Sequence, residues 1–140
     1  MEKGYAGDIS PSEAWQRLQS DPKAVLVDVR TQPEWVYVGL PELDQANKRA
    51  ICVSWQVYPG MSQNPGFASE LAAQGVGPEN TVLFLCRSGA RSAAAAAFMT
   101  ARGWGQCFNI ADGFEGALDP DKHRGKVSGW KALGLPWKQG

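Results

Sequence analysis

Cys86 is followed by Arg87, Ser88, Gly89, Ala90, Arg91 and Ser92, and the chain then enters the alanine-rich run Ala93 to Ala97. A cysteine attacks as a thiolate, so its reactivity depends on the positive potential and the hydrogen-bond donors around the sulfur. This segment supplies both. It carries two guanidinium groups and two hydroxyls, a glycine that lets backbone amides turn inward, and a helix start whose first N–H groups have no intrahelical partner. The pattern predicts a nucleophilic Cys86 in an anion-stabilising cradle. Arg87 is the expected ligand for an anionic substrate, and Arg91 the expected tie from the loop to an acid or to carbonyls. Ser88 and Ser92 offer hydroxyl donors, with Ser92 also placed to cap the following helix.

Such a loop needs a rigid frame, and the sequence supplies one. Thr81-Val-Leu-Phe-Leu85 and Ala24-Val-Leu-Val-Asp-Val29 are short, almost unbroken apolar runs, as expected of strands covered on both faces in a parallel sheet. Ala50–Val53 and Gln106–Ile110 read as further strands. Ser10-Pro-Ser-Glu13 opens a helix, with Ser10 as cap, Pro11 at the first helical position and Glu13 closing a capping box. Phe67–Gln74 before Gly75, and Ser92–Arg102 before Gly103, read as two more helices. Pro59–Gly66 and Leu118–Ser128 read as long surface loops. Alternating strands and helices predict an α/β fold, an open and mostly parallel sheet with helices on both faces. Open α/β sheets bind ligands beyond the carboxyl ends of their strands, where Asp28, Arg30 and Cys86 all fall.

At 140 residues and 44% apolar content the chain suits one domain, residues 1–140, with its core between about 10 and 137. Fourteen basic and fourteen acidic residues cancel, which argues against nucleic acid or an anionic membrane as partner. The Met1–Tyr5 stretch shows no leader-like apolar run, and no segment is long enough to span a bilayer, so a cytoplasmic location is expected. Cys52, Cys86 and Cys107 match neither a disulfide framework nor a metal-ligand spacing, and no metal is expected. Cys52 and Cys107 lie in strand-like surroundings and read as core; a resolving role would need one within disulfide reach of Cys86. His123, the only histidine, sits in a polar segment and reads as a surface residue. The six tryptophans read mainly as core and hinge packing.

Four pieces together resemble the single-domain rhodaneses, a sulfurtransferase family. They are Leu26-Val-Asp-Val-Arg30 with Glu34-Trp35, the Cys86–Ser92 loop, Asn109-Ile-Ala-Asp-Gly-Phe-Glu-Gly116, and Gly129-Trp-Lys-Ala-Leu-Gly-Leu-Pro136. The resemblance implies that Cys86 takes the sulfane sulfur of a donor such as thiosulfate and passes it, as a persulfide, to cyanide, a thiol or a protein. It implies no cofactor beyond that covalent intermediate, and it leaves the oligomeric state open. Asp28 and Arg30 are expected to form a supporting ion pair. Cysteine-dependent phosphatases place five residues between cysteine and arginine, whereas four separate Cys86 from Arg91, which favours sulfur over phosphate or arsenate chemistry. A sulfur-carrier or interaction module that turns over poorly is the alternative from another class. Where the family commonly has a Gly-His-Ile-Pro-Gly-Ala-like segment, this chain has Gln45-Ala-Asn-Lys-Arg-Ala50. Leu40–Arg49 therefore reads as a divergent segment beside the site, with Arg49 lining the entrance, and Leu118–Ser128 as an insertion.

Overall fold

The computed structural model describes residues 4–139; the first three residues of the stretch read for a leader lie outside the described residues. The chain begins with β1 (Gly7–Ile9), α1 (Pro11–Ser20) and β2 (Ala24–Asp28), followed by a π-helical turn at Glu34–Val38. Next come β3 (Leu40–Pro41), a 3-10 turn at Asp44–Ala46, β4 (Ile51–Cys52), β5 (Gln56–Val57) and β6 (Ser62–Gln63). Then follow α2 (Phe67–Ala73), β7 (Thr81–Leu85), α3 (Ala90–Ala101), β8 (Cys107–Ile110), α4 (Gly129–Ala132) and β9 (Trp137–Lys138). The main sheet has the order β1-β8-β7-β2-β4, with every pairing parallel.

The predicted open α/β architecture is the one observed, and strand alternation explains its two cores. Val82 and Phe84 face α2 and α3, where they meet Phe67, Leu71, Ala95, Ala96 and Met99. Leu83 and Leu85 face α1 and α4, where they meet Ala14, Leu18, Phe114 and Trp130. Small side chains at Ala95 and Ala96, both fully buried, bring α3 close to the sheet. Trp130 is also fully buried, with Trp15 edge-on at 6.0 Å. Removing an indole of that size from water is worth up to about 5 kcal/mol.

At the start of α1, Ser10 Oγ accepts from Glu13 N at 3.1 Å, and the Glu13 carboxylate pairs with Arg17 at 2.7 Å. Two expectations shift. The helix after the Cys86 loop begins at Ala90 rather than Ser92, because Gly89 at φ +118° already makes the cap. Within the expected loop 59–66, β6 pairs back onto β5 as a small hairpin.

The 40–49 segment also needs correction. Parallel pairing of β2 with β4 forces the chain to return from the carboxyl edge to the amino edge before β4 starts, and this segment makes the return. Arg49 therefore lies at the amino end, bordering cavities with Leu40, Glu42 and Asp44 and with Pro22, Ala24 and Lys48. It does not border the cavity at Cys86.

Candidate active site

Asp28, Leu85 and Cys52 end three adjacent parallel strands, with Asp28 in register with both of the others, so Cys86 emerges at the carboxyl edge of the sheet. The Cys86 side chain is nearly covered, and its sulfur borders a cavity of about 340 Å³. Arg87, Ser88, Ala90 and Arg91 line that cavity on one side, and Glu34, Gln56 and Met61 line it on the other. The Gly89 N–H donates to Cys86 Sγ at 3.1 Å, and Ser92 Oγ lies 3.1 Å from the same sulfur. The glycine conformation aims that amide at the sulfur, a geometry a β-carbon would strain.

The turn after β8 holds the loop from behind. Cys86 O accepts from Phe114 N at 2.8 Å, and Arg87 O accepts from Glu115 N at 2.9 Å and from Gly116 N at 3.1 Å. These bonds tie the Cys86 and Arg87 carbonyls to the turn, away from the sulfur that the Gly89 amide faces. A β-carbon on Gly113, whose φ is +61°, would collide with the Cys86 and Arg87 carbonyls. The segment from 117 to 128 leaves this turn and returns to it, closed by Ala117 N donating to Ser128 Oγ at 3.1 Å.

The two loop arginines have different duties. Arg91 forms a fork with Glu34, Nη1 to Oε1 at 2.8 Å and Nη2 to Oε2 at 3.0 Å. Burial would raise the Glu34 pKa, but the Arg91 hydrogen bonds and charge, helped by Thr31, bring it down to about 2. Arg91 is thus the predicted tie to an acid. Arg87 is exposed on the cavity wall and, among the described residues that line it, is the cation outside the Arg91–Glu34 pair.

Asp28 and Arg30 form the predicted ion pair, both side chains fully buried, with Nη2 to Oδ2 at 2.7 Å and Nε to Oδ1 at 2.9 Å. Arg30 Nη2 also donates to Gly39 O at 2.7 Å, and its guanidinium stacks 4.4 Å from the Phe114 ring. Burial alone would pull the Arg30 pKa down, but Asp28 holds it above the ordinary value. The pair supports the turn from beneath and does not border the Cys86 cavity.

One polar chain was not anticipated. Ser92 Oγ donates to Asn109 Oδ1 at 2.5 Å, Asn109 Nδ2 donates to Asp8 Oδ1 at 3.0 Å, and Tyr5 OH donates to the same carboxylate at 2.8 Å. Asp8 and Asn109 are register partners, so the chain crosses the carboxyl edge from β7 to β1. The available signal was an asparagine inside an apolar strand, a residue type depleted there. Cys107 lies at the other end of its strand, in register with Val82, and the three cysteines are free. Among the described residues no cluster could hold a metal ion, and no helix is long and apolar enough to cross a membrane.

Residues 6–140 match the family model described as the STR4 middle domain. An uncharacterized protein of Rickettsia conorii is 43% identical over 131 residues, covering 94% of this chain and 96% of that protein. The chloroplastic protein THYLAKOID RHODANESE-LIKE of Oryza sativa subsp. indica is 33% identical over 94% of this chain, which spans 25% of that protein. Among solved structures, Rv0390 from M. tuberculosis superposes with a TM-score of 0.87 at 45% identity, over 97% of this chain and 99% of that one. The polysulfide-sulfur transferase of Wolinella succinogenes shares the fold at a TM-score of 0.61 and 23% identity, over 95% of this chain and 78% of that one.

Proposed function

From the premise that this chain belongs to the STR4 middle domain family and has a rhodanese-like fold, we propose that it is a sulfurtransferase in which Cys86 carries the sulfur. The observation that carries the reading is the sulfur cradle itself. The Gly89 amide and the Ser92 hydroxyl converge on Cys86 Sγ, and Arg87 stands exposed on the wall of the adjoining cavity.

In the first half-reaction the Cys86 thiolate attacks the outer sulfur of thiosulfate. The donor S–S bond breaks, sulfite leaves with the electron pair, and a Cys86 persulfide anion remains. Arg87 draws in the dianionic donor, while Gly89 N–H stabilises the charge on sulfur, joined by the Ser92 hydroxyl when its proton turns from Asn109 Oδ1 to Sγ. In the second half-reaction cyanide, a thiolate or a protein thiolate attacks the terminal sulfur. The persulfide bond then breaks toward Cys86, restoring its thiolate. No group beyond the covalent intermediate is needed, and three free thiols are in keeping with a reducing, cytoplasmic setting.

Phosphatase chemistry would require the arginine that closes the loop to clamp phosphate oxygens, whereas Arg91 is held by Glu34. A carrier role keeps one supporting observation: this chain spans a quarter of the rice relative, where the matching region is joined to other sequence. Thiosulfate with cyanide tests the proposal. Thiocyanate should form and vanish in Cys86→Ser, and intact mass should show one added sulfur after thiosulfate alone. Hydrolysis of an aryl phosphate without any sulfur gain overturns it.

A further inference from the structure

A second, larger cavity of about 620 Å³ adjoins the Cys86 cavity. The same two elements wall both. The π-helical turn gives Glu34 to the smaller cavity and Trp35, Val36 and Tyr37 to the larger; the β5–β6 hairpin gives Gln56 and Met61 to the smaller and Val57 and Tyr58 to the larger. Cys52, on the wall of the larger cavity, lies two strands away from Leu85, roughly 10 Å along the sheet edge at about 4.8 Å per strand.

The walls describe a ligand. Tyr37 is 75% exposed, Tyr58 59%, Val36 47%, Val57 44% and Met61 39%, five of the nine large apolar side chains exposed among the described residues. Gathering that much apolar surface beside one site marks it for contact. The Trp35 side chain adds an indole to the wall of the same cavity. Among the described residues no lysine or arginine lines the cavity, and the one charged side chain on its wall is Glu70, steadied by Asn64 Nδ2 at 2.9 Å. The cavity is therefore unsuited to the anionic donor that Arg87 attracts.

We propose that this aromatic cavity is the acceptor subsite: it holds the body of a flat, aromatic, non-anionic thiol and presents its sulfur to the Cys86 persulfide. The inference rests on the sulfurtransferase reading. The acceptor thiol loses its proton to water, its thiolate attacks the terminal sulfur, and the persulfide bond breaks with its electron pair returning to Cys86. The acceptor departs as a persulfide, so atoms and charge balance. Cys52 does not compete for the sulfur, because burial and then the nearby Asp28 carboxylate push its thiol up to about 12.

The test loads the protein with thiosulfate, confirms the added sulfur by intact mass, and then follows single-turnover transfer to naphthylmethanethiol, mercaptoethanol and mercaptomethylbenzoate. The naphthyl thiol should half-saturate at a concentration at least about tenfold lower than mercaptoethanol, equivalent to about 1.4 kcal/mol of ring contact. Tyr58→Ala should remove most of that preference, and Glu70→Gln should narrow the discrimination against the benzoate, with thiosulfate loading unchanged in both variants. Equal saturation across the panel, or a preference that survives Tyr58→Ala, overturns the proposal. Calorimetry with unreactive naphthylmethanol separates the two readings. Loading without naphthylmethanol binding overturns the acceptor subsite alone, and binding without loading overturns the sulfurtransferase reading together with the acceptor role.

Discussion

The two halves of the carboxyl edge are built by opposite means. On the β7–β8 side, the loop carbonyls are tied to Phe114, Glu115 and Gly116, and the sulfur is faced by a fixed amide and a buried hydroxyl. On the β2–β4 side, the wall is a π-helical turn and a hairpin whose strands pair over two residues each, with apolar side chains exposed to solvent. One half is held by backbone, with the buried Asp28–Arg30 pair reaching from the end of β2 beneath its Phe114 turn, and the other by side-chain choice. Substitutions on the second half can change what is bound while the first half keeps the sulfur geometry. Glu34 is the residue that touches both, since it lines the Cys86 cavity from the π-helical turn and holds Arg91 of α3.

The sharpest test of the cradle half is Cys86→Ser, which should cut thiocyanate formation by at least about 10⁴-fold, the scale expected when a nucleophile is removed. Retained turnover would dissolve the distinction between the halves. Next in size is Asp28→Asn. It leaves the Arg30 charge buried without its partner and should cost about 3–5 kcal/mol in urea unfolding, whereas Tyr37→Ala on the other half should cost under about 1 kcal/mol, as surface changes do.

Glu34→Gln probes the bridge. The folded pKa of about 2 lies below the ordinary 4.5, so the Glu34 charge stabilises the fold fully above pH 4.5, and that contribution disappears as pH falls toward 2. The unfolding midpoints of wild type and Glu34→Gln should therefore differ near neutrality and converge on acidification. A gap that persists at the acid end would contradict the ion-pair account.

A smaller effect should follow Asn109→Leu. Ser92 has one hydroxyl proton and three acceptors within reach, Cys86 Sγ, Asn109 Oδ1 and Gly89 O. Removing the amide oxygen takes away the shortest of these and leaves the proton shared between the sulfur and Gly89 O, so the pH profile of Cys86 alkylation should move to lower pH. The move should be somewhat under one unit, because a hydrogen bond nets about 1 kcal/mol against about 1.4 per unit. A move to higher pH would remove Asn109 from the cradle. Smallest of all, His123→Ala should leave activity within about twofold, as expected of an exposed residue far from special features; a large loss would contradict its reading as a surface residue.

The same contrast explains what could be read from the sequence. β2 and β7 were legible because buried parallel strands are apolar runs, and the Cys86 loop was legible because its residue types are dictated by sulfur chemistry. Arg49 was misplaced because matching residues 45–50 to the family's segment ignored where the chain must travel: a parallel crossover takes residues 40–49 to the opposite edge. The start of α3 moved by two residues because Gly89 rather than Ser92 forms its cap. The β5–β6 hairpin left no sequence pattern, since two-residue strands are too short for alternation to show. Asn109 was hidden because its role depends on Asp8, a strand neighbour 101 residues away in sequence.

The excursion between Gly116 and Ser128 has a use in engineering. It departs and returns at one point, with Ala117 N on Ser128 Oγ and Arg124 Nη1 on Gly116 O, and its chain adds nothing to the Cys86 cavity. Closing a loop of different length changes the entropy by well under about 1 kcal/mol for each doubling. The segment is therefore a natural graft port, where an affinity tag, a fluorophore or a whole second domain can be spliced in while the sulfur cradle stays in register.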